Sequence, residues 1–494
     1  MRPAAVGDTV DYSTVRMPDQ NRLRVAATLP AVPADWHVAA IDAVRGVAGV
    51  DVLGVERVAA RARVGQDCLD VLIDLAGVEP LPPPRYGVWR FGFGDGAAIA
   101  GGAPGTSARL YRATGDPARA VVLHEGWFRA RTPEGWGTAS VGRRVAPWCA
   151  RVLRQITLGH IGVIATEPEP IADCCDRLPP VRPDGPGTAA LDTIRDWLRR
   201  ERWTIGIVPL GIDEILQRGA LPEPSWLVGQ PADRFYADPF LLAVCGDHAR
   251  VLVEDYRYAS RRKGLAELHV GMNGELMRSS DPAGLPLRAS YPFLLRHHGN
   301  TYCLPETFRA HRLSVYALDE RSGAWTFDRD VLQGFPCVDG TLLERDGRWW
   351  LFCTKQGDED QTDLHLFFAD RWTGPWQPHP LNPVKSDTRS SRPAGACFEV
   401  GGSIYRPAQN CARRYGAGLA INRLVELTPT AFREDTVLML HPSPSSLWRD
   451  GMHTINSVGG MTVVDGLRVE RRLGLRTFQR RINTEDTKDT KEGT

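Results

Sequence analysis

From Asp238 onward the chain repeats one layout: a polar residue joined to Pro or Gly, an apolar strand, a Gly or Asp turn, and a second strand with polar ends. ADPFLLAVCGDHARVLVEDY begins at Ala237, YPFLLRHHGNTYCLPET at Tyr291, DGTLLERDGRWWLFCTK at Asp339 and RPAGACFEVGGSIYRPAQN at Arg392. A weaker copy, SVGGMTVVDGLRVERRL, begins at Ser457. The starts lie about 50 residues apart, the length of one four-stranded propeller blade, and such units stack to bury their faces. Five copies predict an all-β, five-bladed propeller over residues 201–476, with Trp203–Pro209 supplying the strand that closes the ring.

Antiparallel pairing sets the start of each inner strand beside the end of its partner, so the polar ends of every hairpin gather at one end of the ring. The predicted funnel contains Asp238, Glu254, Asp255, Glu306, Asp339, Lys355, Arg392, Arg406, Gln409 and Asn410. Two readings are open. The acids and arginines either serve a ligand or satisfy one another around a central channel.

The region before the propeller has a different texture. Strand-like LRVAATLP, VDVLGVERVA, CLDVLIDLAG and YGVWRFGFGD alternate with helix-like WHVAAIDAVRGVAG and PWCARVLRQITLG. This alternation predicts a parallel, Rossmann-like α/β sheet over residues 21–177, after a flexible N-terminus of residues 1–20. Residues 178–200 read as a linker, LPPVRPDGPG, leading into an amphipathic helix, LDTIRDWLRRERW, and residues 477–494 as a disordered tail. GDGAAIAGGAPG is not a G-x-G-x-x-G turn and reads as a plain loop.

Lys plus Arg number 60 against 59 Asp plus Glu, which gives no electrostatic footprint for nucleic acid or an anionic membrane. No run reaches the length of a membrane span and no secretory leader is visible, so the expectation is a soluble, cytoplasmic protein. The 10 cysteines show neither C-x-x-C nor zinc spacing and read as reduced, buried thiols. Oligomeric state is not legible.

ADPF, VEDY, SYPFLL, the PE of Pro305-Glu306, DGTLL with Trp349-Trp350, RPAG, YRPAQN and HTIN together resemble the N-terminal propeller domain of plant glucosamine inositolphosphorylceramide transferases. That domain is itself similar to the five-bladed family-43 glycoside hydrolases. The resemblance covers Trp203 to Leu475. In the plant enzymes a separate C-terminal glycosyltransferase domain carries the transfer, and this chain has no counterpart of it. The hydrolase resemblance implies three carboxylates. Asp238 matches the general base and Asp339 the carboxylate that tunes and orients. Where the general acid belongs, this chain has Arg392, whose guanidinium cannot give up a proton near neutrality. Glu306 is the substitute acid, on the condition that it faces the axis, because inverting hydrolysis places acid and base roughly 6.5–9.5 Å apart. Arg392 and Arg406 suit an anionic partner, a phosphate or a carboxylated sugar. His453 lies where such propellers carry an axial histidine, which leaves room for a divalent cation there.

The first domain bears a weaker likeness to methionyl-tRNA-type formyltransferases, in the order DVLIDLAG, YGVWRFGFGDG, GTSARLYRATGD. It lacks the Asn-His-Asp set that moves a formyl group, and His37, His124 and His160 stand outside any such motif. The expected function is glycoside chemistry, hydrolysis or transfer, in the funnel. The alternatives are a non-catalytic sugar-binding or assembly module and, last, acyl or formyl transfer by the first domain.

Overall fold

The computed structural model describes residues 22–58, 69–77, 84–94, 105–114, 116, 118–129, 138–170, 199–357 and 360–471. The flexible N-terminus, the glycine-rich loop, most of the linker and the tail expected from the sequence lie outside these residues.

The first unit is one seven-stranded sheet: β1 (Leu23–Pro30), β2 (Val50–Val58), β3 (Val71–Asp74), β4 (Val88–Phe93), β5 (Gly105–Ala113), β6 (Arg119–Arg129) and β7 (Glu169–Pro170). Its order is β2-β1-β3-β4-β5-β6-β7. The first four strands pair in parallel, as expected, but β4 through β7 pair antiparallel. A parallel step needs a crossover, and among the described residues no helix stands between β4 and β6. The sheet is therefore mixed, not parallel. The helices α1 (Asp35–Arg45), α2 (Thr138–Val145) and α3 (Trp148–Thr157) join it around a core containing Ile41, Val44, Trp89, Phe128, Val145 and Trp148. The likeness to a formyltransferase finds no support. His124 packs half-buried against the Trp148 ring, with its Nε2 2.7 Å from Arg151 Nη1, and desolvation pushes its pKa down, as do the nearby cations Arg151 and Lys385.

The remaining strands form five sheets around an axis. Blade one is Arg234–Cys245, His248–Arg257, Arg262–Gly271 and Leu276–Ser280; blade two is Ser290–His297, Asn300–Glu306, Arg312–Asp319 and Ala324–Gln333. Blade three is Cys337–Arg345, Arg348–Lys355, Asp363–Ala369 and Gln377–Pro378, with Lys385–Ser386 added to its third strand. Blade four is Phe398–Val400, Ser403–Asn410, Gly418–Leu427 and Phe432–Leu440. Blade five combines Ile455–Val458 and Met461–Arg471 with Arg199–Val208 and Ser225–Trp226 from the front of the chain. This closes the ring where the sequence placed the closure, with one correction. Residues 199–203 were read as the end of a helix and are strand, paired from Arg199↔Arg471 to Trp203↔Leu467. Tertiary pairing outweighs the amphipathic pattern.

The first unit docks on the propeller through β6 and α3. Thr388 donates from N and Oγ1 to the Trp127 carbonyl at 2.9 and 2.7 Å, and Arg151 reaches Ser386 Oγ at 3.2 Å. The seven cysteines among the described residues are free, five of them buried.

Candidate functional site

The inner strands of blades one, two and three share one local feature. Asp238, Tyr291 and Asp339 hold left-handed backbone, φ 51°, 41° and 53°, which is costly for residues with a Cβ and persists only where the surroundings fix it. Here it turns backbone N–H groups toward the axis, where carboxylates from neighbouring blades accept them. Tyr291 N donates to Asp238 Oδ2 at 3.2 Å, joining blade two to one, and Asp339 N donates to Glu306 Oε2 at 3.0 Å, joining three to two. Arg392 Nε and Gln409 Nε2 donate to Asp339 Oδ2 at 2.6 and 2.9 Å, joining four to three. Asn456 closes the circle, accepting from Ala396 N at 2.8 Å and donating to the Pro239 carbonyl at 2.8 Å. Across the axis, Gly395 N donates to the Tyr291 hydroxyl at 2.7 Å.

Asp238, Glu306, Asp339, Arg392, Gln409 and His453 therefore meet at the axis, all buried. Of the other candidates Glu254 comes near them, lining a cleft with His453, and the rest do not. Strand alternation sends neighbours Glu254 and Asp255 to opposite faces. Asp255 pairs with Arg234 at 3.2 Å and Arg257 at 2.9 Å. Arg406 lies three residues from Gln409 and so on the other face. It is fully enclosed, donating to Glu434 at 2.9 and 2.6 Å and to the Ser390 and Ser391 carbonyls. Lys355 is exposed, and Asn410 accepts from Ala412 N at 3.1 Å within its own turn.

The sequence reading missed Asp465. Its Oδ1 accepts from His453 N and Thr454 N at 2.7 and 3.0 Å, and its Oδ2 accepts from Asp238 N at 3.2 Å. His453 then stands between two carboxylates: Nε2 is 3.1 Å from Asp238 Oδ1, and Nδ1 is 2.8 Å from Asp465 Oδ2, off the line of a good hydrogen bond. Burial works against the imidazolium, but Asp465 and Asp238 overcome it and raise His453 to about 10. Burial likewise opposes ionised Asp238, and His453 outweighs it, holding the carboxyl at about 2. Burial pushes Asp339 well up, helped by Glu306 and Asp238 and opposed by Arg392.

Beside the axis, between blades five and one, opens a cleft of about 360 Å³. Its aromatic walls are Trp203, Phe235, Tyr256, Tyr258 and Tyr415. Phe235 and Tyr256 are cross-strand partners with rings stacked at 4.8 Å and 16°. The polar edge holds Arg200, Glu254, Lys263 and His453. Lys263 Nζ donates to Glu254 Oε2 at 2.9 Å. Burial raises the Glu254 carboxyl, Lys263 opposes this, and Asp238 and Glu306 add to the rise. Neither the aromatic wall nor Lys263 was singled out from the sequence. Trp203 comes from the closing strand and Lys263 from the third strand of blade one, outside the repeated hairpins.

Asp238, His453 and Asp465 offer ligand atoms within 4.8 Å of one another, the place of the expected axial cation. They do not fit one. Three backbone N–H groups already donate to Asp465, two to Oδ1 and one to Oδ2, and His453 Nδ1 lies against Oδ2 at 2.8 Å, so both its oxygens are engaged. Asp238 receives Thr454 Oγ1 at 3.0 Å and Tyr291 N besides His453. Hard divalent ions take six or more oxygen ligands as a rule.

Among solved structures, the chain is similar to an exo-β-1,3-galactanase from Clostridium thermocellum (12% identity, 48% of this chain and 66% of that one, TM-score 0.34). It is also similar to a family 117 glycoside hydrolase from Zobellia galactanivorans (12%, 54% and 90%, TM-score 0.35). In sequence it is 30% identical over 214 residues to glucosamine inositolphosphorylceramide transferase 1 of Oryza sativa subsp. japonica, covering 42% of this chain and 28% of the relative. With the Arabidopsis thaliana protein of the same name it is 26% identical over 283 residues, 52% of this chain and 36% of the relative. The chain thus spans about a third of the length of these relatives. Residues 280–449 match the family described as glucosamine inositolphosphorylceramide transferase 1, N-terminal, which takes in blade two to blade four of the propeller.

Proposed function

We propose that the propeller recognises a saccharide in the cleft between blades five and one. One observation carries this reading: an aromatic platform, Phe235 on Tyr256, lies beside a hydrogen-bonding pair, Glu254 and Lys263, on one sheet face that lines an open cleft. A sugar ring has apolar C–H faces that suit such a platform and hydroxyls that suit such an edge. The relatives' name, a glucosamine-linked transferase, is compatible with a sugar ligand.

Glycoside cleavage or transfer is a second reading, favoured by the raised carboxyl of Glu254 at the cleft, the condition a proton donor needs. In this reading Glu254 takes the acid role first assigned to Glu306. Both Glu306 oxygens already accept, from Ser290 Oγ at 2.9 Å and Asp339 N at 3.0 Å. Asp238 is then the fixed negative charge beneath the cleft, and Asp339 a strut between blades. An anionic sugar would meet Lys263 and Arg200, not Arg406.

Calorimetric titration of neutral, phosphorylated and carboxylated saccharides against the protein and its Phe235→Ala and Tyr256→Ala variants tests the proposal. Binding by the parent, weakened ~10-fold or more in each variant, supports it. No binding by any class, or equal binding in the variants, refutes it. Turnover of an activated glycoside that Glu254→Gln abolishes would select the second reading.

A further inference from the structure

We infer that the axial position is held by the protein's own cation, the His453 imidazolium, which positions Asp238 and makes a divalent ion unnecessary there. The ring nitrogens face opposite carboxylates at 3.1 and 2.8 Å. The imidazolium sets a positive charge against both carboxylates, with Nδ1 meeting Asp465 as a close charge contact and not as an aligned hydrogen bond, whereas a neutral ring would leave two buried carboxylates beside it without that charge. The surroundings fix the ring in place. Trp203 lies 4.2 Å and Tyr415 5.2 Å from it, centroid to centroid. Asp465 binds the backbone N–H of both His453 and Thr454, and Thr454 Oγ1 in turn holds Asp238.

The charge count agrees. Asp238 and Asp465 bring two negative charges, and the nearest other cation at the cleft, Lys263, is paired to Glu254. Without a positive His453 the two carboxylates would face each other, linked by the Asp238 N–H on Asp465 Oδ2, with no counter-charge between them. A buried pair of this kind needs one. His453 touches the cleft, so the same charge sets the potential at its floor. It is a positioning residue: it acts through Asp238.

The test uses the full chain labelled with ¹⁵N-histidine. Long-range proton–nitrogen correlation spectra, assigned by comparison with His453→Gln, report the state of each ring nitrogen. Two protonated nitrogens at neutral pH, together with a thermal midpoint unchanged by a chelator and by excess Ca²⁺, Mg²⁺ or Zn²⁺, are expected. A neutral His453 ring at neutral pH overturns the inference. So does a saturable rise in midpoint with one of these ions, or stoichiometric metal in the purified protein. The metal readouts need only the parent protein, and His453→Asn supplies the spectral assignment if His453→Gln fails to fold. They are also independent of saccharide binding, so failure here and failure of the ligand proposal are distinguishable.

Discussion

Replacing Glu434 by Gln isolates what Arg406 does. The carboxylate and the guanidinium have side-chain exposures of 1% and 0% and meet through two contacts of 2.6 and 2.9 Å, while Lys385 approaches the same carboxylate at 2.8 Å. Burial pushes the Glu434 carboxyl up, but Arg406 and Lys385 outweigh it and the net shift is downward. Glutamine keeps the shape and one acceptor oxygen but removes the charge, leaving the guanidinium buried with neutral acceptors alone, the amide oxygen and the Ser390 and Ser391 carbonyls. Breaking one side of a buried pair costs about 3–5 kcal/mol. For a unit of this size that is a drop of roughly 6–10 °C or more in midpoint. Urea unfolding and thermal scans of Glu434→Gln measure the loss. The double variant Arg406→Met/Glu434→Met removes both charges from the interior and should recover most of it. A single-variant loss below about 1 kcal/mol, the level of a solvated surface pair, would refute the burial argument. A well-folded double variant that no longer binds saccharide would return Arg406 to the ligand site.

Three further outcomes are expected. The His453 pKa is raised from 6.5 to about 10, so its contribution to stability is complete below pH 6.5 and lost as pH rises toward 10. Unfolding midpoints measured across that window should fall in the parent and flatten in His453→Gln; a parent profile flat to pH 10 would contradict a charged His453 between the two carboxylates. Gly395 has φ 135°, and a Cβ there would overlap the Ile455 carbonyl oxygen, so Gly395→Ala should cost about 2 kcal/mol or more by denaturant titration, against near-neutrality if the contact is loose. Thr388→Val deletes the hydroxyl bond to the Trp127 carbonyl in the buried dock between sheet and propeller. A loss of about 1–2 kcal/mol is expected, and protection of β6 amides from hydrogen exchange should fall with it; unchanged exchange would mean the dock does not depend on this bond.

The blades were legible because each is a local hairpin repeated at constant spacing, with period-2 alternation and turn residues in place. The first four strands of the first sheet were legible with their parallel direction, Leu23–Pro30 to the residue, but β6 and β7 and the antiparallel turn of the sheet were not. Whether neighbours run parallel depends on connections that no local pattern encodes. Arg199–Trp203 misled for a related reason: a ten-residue strand spanning the chain's closure takes its shape from Leu467–Arg471, far away in sequence.

At the site, residues at hairpin ends were found because topology alone gathers them. Asp255 and Arg406 were placed wrongly in the funnel because a strand's alternation, not its position, decides which face a side chain takes. Thr454 and Asn456 were within the quoted HTIN motif and Tyr291 within SYPFLL, yet only the geometry shows them joining blades. Asp465 sits mid-strand in the second strand of the weakest repeat, where one acid among turn residues carries no signal. The aromatic wall draws on the closing strand, blade one and the turn of blade four that holds Tyr415 at once, so no sequence window contains it.

The most direct measurement is a crystal structure of the protein with a saccharide that the titration identifies. The account predicts a sugar ring lying on the Phe235–Tyr256 face with a hydroxyl on Glu254 or Lys263. A saccharide bound at Arg392 and Asp360, or in the recess by Asp247 and Met277, with the aromatic cleft left open, would contradict it.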